Sequence, residues 1–290
     1  MSRSSRRSAP SHRSAARRPL WRPLVGVVAV GAATAVCAAV VGGSANAVVG
    51  GQDSTDRYPF MVSIPLAVEK PDGSTLTAVC GGTLIDPEWV VTAGHCALDG
   101  KTAHPTGTVR VGSDRRSSGG TVRTIVEKVR HPRYDGGGDK RAFDDIALLR
   151  LDRPVTRQAP IRIADHAPRI GAATRILGFG TTAEAGGPED WKFAERLQQL
   201  DTRRAPADRC LDINTAGELC TTSRVPGAMA CNGDSGGPQI QRIGGRWQLV
   251  GATSGDGDHE VNGNCGGGPG IWTSVPAYKQ WITETLAARR

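Results

Sequence analysis

The chain has 290 residues, enough for one or two domains with a sizeable core. Its formal charge of +8 comes mostly from residues 1–47, which hold seven of the 36 basic residues and none of the 28 acidic ones, leaving 29 against 28 beyond them. That near balance gives no case for a nucleic-acid or anionic membrane partner, and aromatic residues, at 4%, are too sparse for a base-stacking surface.

In chain order, Arg3, Arg6, Arg7, Arg13, Arg17, Arg18 and Arg22 precede a nearly uncharged stretch from Leu24 to Val41, and the small-residue site Ala45-Asn46-Ala47 follows. A basic segment, an apolar segment and a small-residue site together predict a secretory signal peptide over 1–47, removed to leave a domain over 48–290. A retained membrane anchor is the competing reading, but the stretch is rich in Gly and Ala and leads directly into the cleavage site. Arg17-Arg18 hints at twin-arginine export, although Pro19 follows. Cys37 lies in the leader. The even set that remains, Cys80, Cys96, Cys210, Cys220, Cys231 and Cys265, implies three disulfides in an exported chain without choosing their connectivity. Zinc is the weaker alternative, because the cysteines are spread out and form no CxxC pair.

From Val48 onward, short β-branched or apolar runs alternate with Gly, Pro, Asp and Ser. They are Phe60 to Leu66, Gly82 to Ile85, Trp89 to Thr92, Thr108 to Val111, Thr121 to Val129, Ile146 to Leu151, Arg175 to Phe179, Trp247 to Val250 and Ile271 to Ser274. This pattern predicts an all-β barrel or sandwich. Only the end reads as a helix, where Tyr278, Trp281, Ile282 and Leu286 recur at spacings of three and four after Pro276.

Three segments carry chemistry. In Cys231-Asn232-Gly233-Asp234-Ser235-Gly236-Gly237-Pro238 a serine sits in a turn whose glycines let the backbone bend and expose N–H groups. In Trp89-Val90-Val91-Thr92-Ala93-Gly94-His95-Cys96 a histidine follows an apolar strand, and in Asp144-Asp145-Ile146-Ala147-Leu148-Leu149 an acidic pair opens one. Singly, these are an ordinary turn, a structural histidine and a strand-end carboxylate. A serine hydroxyl is a poor nucleophile near neutral pH and needs a neutral imidazole to take its proton, and a carboxylate on the other ring nitrogen fixes the tautomer. The three types together therefore point to nucleophilic hydrolysis.

T-A-G-H-C, D-I-A-L-L and G-D-S-G-G-P, in that order, resemble the chymotrypsin/trypsin-like serine proteases (peptidase family S1), in their bacterial secreted form. The resemblance runs from Val48-Val49-Gly50-Gly51 through His131-Pro132-Arg133-Tyr134 and Gly178-Phe179-Gly180 to the closing helix with Trp281. It implies two six-stranded antiparallel β-barrels with a C-terminal α-helix and the active site between the barrels. It assigns His95, Asp145 and Ser235 as a catalytic triad, with Asp144 the solvent-side neighbour of Asp145, and the N–H groups of Gly233 and Ser235 as an oxyanion hole. A freed amine at Val48 would pair with Asp234, so cleavage after Ala47 would activate the enzyme directly. The disulfides it implies are Cys80 with Cys96, Cys210 with Cys220, and Cys231 with Cys265.

The chain departs from trypsins at the substrate pocket, which the resemblance lines with Met229, Ser254, Gly255, Asp256 and Gly270. Met229 stands where a trypsin carries its recognition carboxylate, and a thioether does not compensate a desolvated cation. An uncharged residue before the cleaved bond (P1) is therefore favoured slightly over Arg or Lys. Asp256 either lines the pocket or, as the favoured reading, is a solvated loop carboxylate beside Asp258 and Glu260. The acidic calcium loop of trypsins is replaced by Gly112-Ser113-Asp114-Arg115-Arg116, so no metal or other cofactor is expected. The expected protein is a secreted, extracellular monomer acting on proteins or peptides, open to proteinaceous inhibitors, with no nucleic-acid partner and no membrane contact once the leader is gone. A catalytically dead binding protein on the same fold is the other class, disfavoured by the full triad and Gly233.

Overall fold

The apolar runs of the first half fold as strands. After the two-residue β1 (Gln52–Asp53) come β2 (Met61–Glu69), β3 (Thr75–Asp86), β4 (Trp89–Thr92), β5 (His104–Pro105), β6 (Thr108–Val111), β7 (Thr121–Arg130) and β8 (Ala147–Leu151). The second half adds β9 (Ala173–Gly178), β10 (Gln198–Arg204), β11 (Glu218–Ser223), β12 (Pro238–Ile243), β13 (Arg246–Asp256) and β14 (Gly270–Ser274). The computed structural model describes residues 48–70, 72–98, 103–136, 141–183, 187–259 and 265–289, all within the unit Gly43–Arg290. The predicted leader lies outside the described residues.

The strands form two closed antiparallel barrels. The first runs β3-β4-β8-β7-β6-β2 and closes by pairing β2 with β3, while the second runs β10-β11-β14-β13-β12-β9 and closes by pairing β9 with β10. Closure leaves no free edge to template a foreign strand. Six strands per barrel is the expected architecture; each sheet counts seven because a two-residue strand is appended, β5 on β2 and β1 on β10. The short β1 and β5, strands β10, β11 and β12 and the first half of β3 are additions to the runs expected from the sequence.

Alternation of buried and half-buried positions in β6 and full burial of β4 follow from their one-sided and two-sided packing. Trp89, Val90, Leu148 and Leu149 of the first barrel share one apolar cluster with Leu177, Ile240 and Leu249 of the second. Burying a side chain of this size contributes about 1.5–3 kcal/mol relative to leaving it exposed. The C-terminal segment begins with a 3₁₀ turn, Val275–Tyr278, where Pro276 sits in the first turn and no N–H is required of it. Helix α1 (Lys279–Ala287) follows, close to the predicted span. It docks on the first barrel through buried Ile282, through Trp281 against the His131 ring at 4.9 Å, and through an Arg289–Glu127 ion pair at 2.7 Å. Among the described residues no helix is long and apolar enough to cross a membrane.

All three disulfides implied by the resemblance are present, Cys80–Cys96, Cys210–Cys220 and Cys231–Cys265. Bridges of this kind typically add about 2–4 kcal/mol each.

Candidate active site

His95 lies in the 3₁₀ turn Gly94–Ala97 that follows β4, and Asp145 lies just before β8, which pairs with β4. Strand pairing therefore brings them together across 50 residues. The His95 backbone N–H donates to Asp145 Oδ1 at 2.9 Å and its Nδ1 donates to Oδ2 at 2.9 Å. Ser254 donates its hydroxyl to the same Oδ2 at 2.6 Å, and Thr273 donates to the Asp145 carbonyl at 2.8 Å. Because a carboxylate only accepts, Nδ1 carries the proton of the neutral ring and Nε2 presents a lone pair.

The electrostatics reinforce this arrangement. Burial pulls the His95 pKa down, but the charge of Asp145 and the bond to it prevail and hold it above the ordinary 6.5. Asp145 is 2% exposed, and burial pushes its pKa up; the charge and bonds of His95 and the Ser254 hydroxyl outweigh burial and hold the carboxyl below its usual range. The Tyr134 ring packs beside Gly94, and burial followed by the Asp145 charge pushes its hydroxyl up to about 12.

Ser235 sits in the turn before β12. Its carbonyl accepts the Gly81 N–H of β3 at 2.7 Å and lies 3.6 Å from Cys96 Sγ, next in the chain to His95. Gly81 is required at this point: a Cβ on it would lie 2.5 Å from the Gly237 Cα, so two bare backbones touch where the serine turn meets the first barrel. At Gly233 φ is +91°, and a Cβ would lie 2.7 Å from the Phe193 ring. Neither the Gly233 nor the Ser235 N–H finds an acceptor among the described residues. Two free, fixed donors beside a serine suit the charge that develops on a carbonyl oxygen under attack.

The predicted pocket residues lie in four different settings. Met229 is 3% exposed in a cluster with Val48, Ile176, Leu200 and Trp272, and a Cβ at Gly270 would touch its Sδ at 3.4 Å. Gly255 is exposed with open space around it. Ser254, half-buried, donates its hydroxyl to Asp145. Asp256 is not a solvated loop carboxylate: it ends β13, pairs with Gly270 and is half-buried, and desolvation pushes it up to about 6. Its Oδ1 accepts the Asp258 N–H at 3.1 Å. Glu260, grouped with it on sequence grounds, lies outside the described residues.

Asp144 also departs from its expected place. It is buried, not on the solvent side, and adopts φ +50°. Arg133 donates to it at 2.7 and 3.2 Å and the Tyr278 hydroxyl at 2.8 Å. These partners stabilise its charge and, against the opposing effect of burial, hold its pKa below the usual value.

Asp234 is 1% exposed and takes hydrogen bonds from the Gly180 and Cys231 N–H groups, each at 2.9 Å. Burial pushes it up to about 7 despite those bonds. Val48 is fully buried, and Val49 pairs with Met229. Cys80, Cys96 and His95 gather their ligand-type atoms within 4.8 Å, but both sulfurs are consumed in the disulfide and offer no thiolate to a metal. No local string marks Thr273 as a site residue, because its contact to Asp145 comes from a remote strand, and Tyr134, although it ends the string His131-Pro132-Arg133-Tyr134, carries no sequence sign of its place beside Gly94.

The family model described as Trypsin matches residues 48–282. Trypsin epsilon of Drosophila erecta is 31% identical over 249 residues, covering 82% of this chain and 87% of its own. A trypsin of Saccharopolyspora erythraea is 32% identical over 253 residues, covering 83% and 99%. Among solved structures, neuropsin, a serine protease expressed in the limbic system of mouse brain, superposes with a TM-score of 0.65 at 26% identity, over 82% of this chain and 100% of its own. Two closed barrels, the histidine–carboxylate pair beside a glycine-bound serine, and a match over most of its length establish that the chain belongs to the trypsin family of serine endopeptidases.

Proposed function

We propose that the chain is exported, cleaved after Ala47, and active as an extracellular endopeptidase that works through an acyl-enzyme. Ser235 Oγ attacks the substrate carbonyl carbon and passes its proton to His95 Nε2. The oxyanion is held by the Gly233 and Ser235 N–H groups, and Asp145 stabilises the imidazolium. Collapse breaks the C–N bond as His95 returns the proton to the leaving amine. Water, deprotonated by the same imidazole, then releases the acyl group. The observation that carries this reading is the double hydrogen bond of His95 to Asp145, which commits the ring to the tautomer a base requires.

Maturation places an ammonium at Val48 beside Asp234. A buried carboxyl at about 7 with no cation among its bonds is one that a nearby ammonium would ionise, and full burial of residue 48 supports the same pairing. Cleavage after Ala47 produces that amine without a separate activating protease.

In the pocket, Met229 offers a cation no counter-charge, so uncharged P1 side chains are favoured over Arg or Lys. Half-buried Asp256 opposite Gly270 supports the second reading, in which it receives a basic P1 group. The mature enzyme works as a monomer on proteins or peptides, is open to proteinaceous inhibitors, and requires no metal, nucleic acid or membrane.

A fluorophosphonate probe tests the nucleophile. It should label the mature protein at Ser235, and Ser235→Ala should abolish labelling and lower turnover by about 10⁶ with the fold retained. Substantial activity in purified Ser235→Ala would overturn the assignment.

A further inference from the structure

Arg141 and Glu218 form a buried ion pair that nothing in the triad reading uses. The Glu218 side chain is 1% exposed and that of Arg141 13%. Arg141 donates from Nη1 to Oε1 and from Nη2 to Oε2, each at 2.7 Å, and from Nη2 to the Asp212 carbonyl at 2.8 Å. Glu218 Oε2 also accepts the Asn214 N–H at 2.8 Å, and the guanidinium lies 4.8 Å from the centre of the Phe143 ring. The fork geometry fixes direction as well as distance.

The position of this pair gives it a function. Glu218 on β11 and Thr273 on β14 are directly opposed partners in the second barrel. Glu218 holds Arg141 and Thr273 holds the Asp145 carbonyl, so one cross-strand pair grips both ends of the short segment that delivers the carboxylate to His95. Between those ends, Asp144 is fixed by Arg133 and Tyr278. The segment comes from the first barrel and is registered against the second.

We infer that Arg141 and Glu218 are positioning residues for the catalytic carboxylate, setting the placement of Asp145 against His95 through the segment 141–145. The inference rests on the triad reading of His95 and Asp145. A displacement of about 1 Å at such a group costs on the order of 10²-fold in rate. Among the described residues, the charged and titratable groups facing the pair His95–Asp145 are Tyr134, on the Gly94 side, and through the segment Asp144 with Arg133, His131 and Tyr278, and Arg141 with Glu218. Loosening the segment weakens the Asp145 bond to His95 and lowers the imidazole pKa.

Three proteins are compared per active site titrated with a fluorophosphonate, so that unfolded molecules are not counted: wild type, Arg141→Lys, and the double variant Arg141→Met with Glu218→Leu. The double variant removes both charges together and so avoids stranding one in the core. Expected are a fall in kcat of about 10- to 100-fold in the double variant and a smaller fall in Arg141→Lys. KM on a short peptide should change less than about threefold, and the acid limb of kcat/KM should move to lower pH. Wild-type kcat and an unmoved acid limb in the titrated double variant would overturn the inference. Asp145→Asn in the same assay separates the two failures: full activity there would sink the triad reading itself, whereas a dead Asp145→Asn beside a fully active double variant would sink only the positioning role.

Discussion

His95 gives both its backbone N–H and its ring Nδ1–H to the two oxygens of one carboxylate, that of Asp145, each at 2.9 Å. The first bond fixes the main chain of the histidine turn and the second fixes its ring, so Asp145 controls position and tautomer at once. Asp145→Asn offers only one acceptor oxygen and an amide that favours the wrong tautomer. A fall in kcat of about 10⁴ is expected, with fluorescence and circular dichroism unchanged. Steady-state kinetics on a peptide substrate checks it.

The acid limb of kcat/KM should lie above the ordinary imidazole value of 6.5, because the charge and bond of Asp145 outweigh desolvation at His95. Activity is lost as pH falls through that raised value, since the protonated ring is no base. The same shift runs the other way for stability: the contribution of His95 is full below its unfolded pKa and is lost as pH rises through the folded one. A pH–rate profile whose acid limb fell below 6.5 would show desolvation, not the Asp145 charge, to be the dominant influence on the ring.

Gly233→Ala should lower kcat by about 10²–10³, as removal of an oxyanion donor does elsewhere, with a smaller effect on KM. At φ +91° any side chain is strained, and this one meets Phe193 and Val79. Turning the peptide to relieve that contact withdraws the 233 N–H. Single-turnover acylation rates report the loss directly.

Asp234 predicts opposite pH behaviour for the two forms of the chain. With residue 48 still joined to residue 47, the carboxyl sits at about 7, above its unfolded 3.8, so its stabilising contribution is complete at low pH and disappears as pH rises through about 7. In a Ser235→Ala background the uncleaved chain should lose Tm between about pH 4 and 7, and Asp234→Asn should flatten that loss. The mature form, beginning Val48-Val49-Gly50-Gly51-Gln52, should show no such loss. Thermal melts across pH distinguish the two.

Much of the barrel is legible where strands pack on apolar neighbours: the runs Trp89 to Thr92 and Ile271 to Ser274 lie within a residue of the observed bounds of β4 and β14. β10 and β12 are not legible in this way, because the second barrel buries amides. Gln198 is fully buried with its amide on Asp53 and the Arg196 carbonyl; Gln239 gives its amide to Thr174 and Thr221. Such residues look like loop positions until partners from remote segments satisfy them. Asp144 looks solvent-facing for the same reason, its partners being Arg133 and Tyr278. The proposed triad stands out because its local strings are distinctive, whereas the Ser254 bond to Asp145 does not, because no string says which way a hydroxyl turns.

Met229→Asp should convert the P1 preference. Wild type is expected to cleave leucyl or alanyl peptides better than arginyl ones, and the variant to reverse the order by placing a carboxylate in the cluster beside Gly270. Asp256→Asn provides the contrast: a strong wild-type arginyl preference lost in Asp256→Asn would assign recognition to that carboxylate instead.

The Gly81–Gly237 contact sets the mechanical tolerance of the site. Side-chain interfaces absorb a mutation by changing rotamers, but two bare backbones have no rotamers to change, and Gly81 also donates its N–H to the Ser235 carbonyl and directly follows Cys80 of the Cys80–Cys96 bridge. A single methyl group on Gly81 acts as a wedge between the half of the molecule that carries the proposed base and the half that carries the proposed nucleophile. Neither half need lose any of its own packing for the rate to collapse, so the smallest change available to the genetic code is, at this seam, a switch between a working protease and a well-folded inert one.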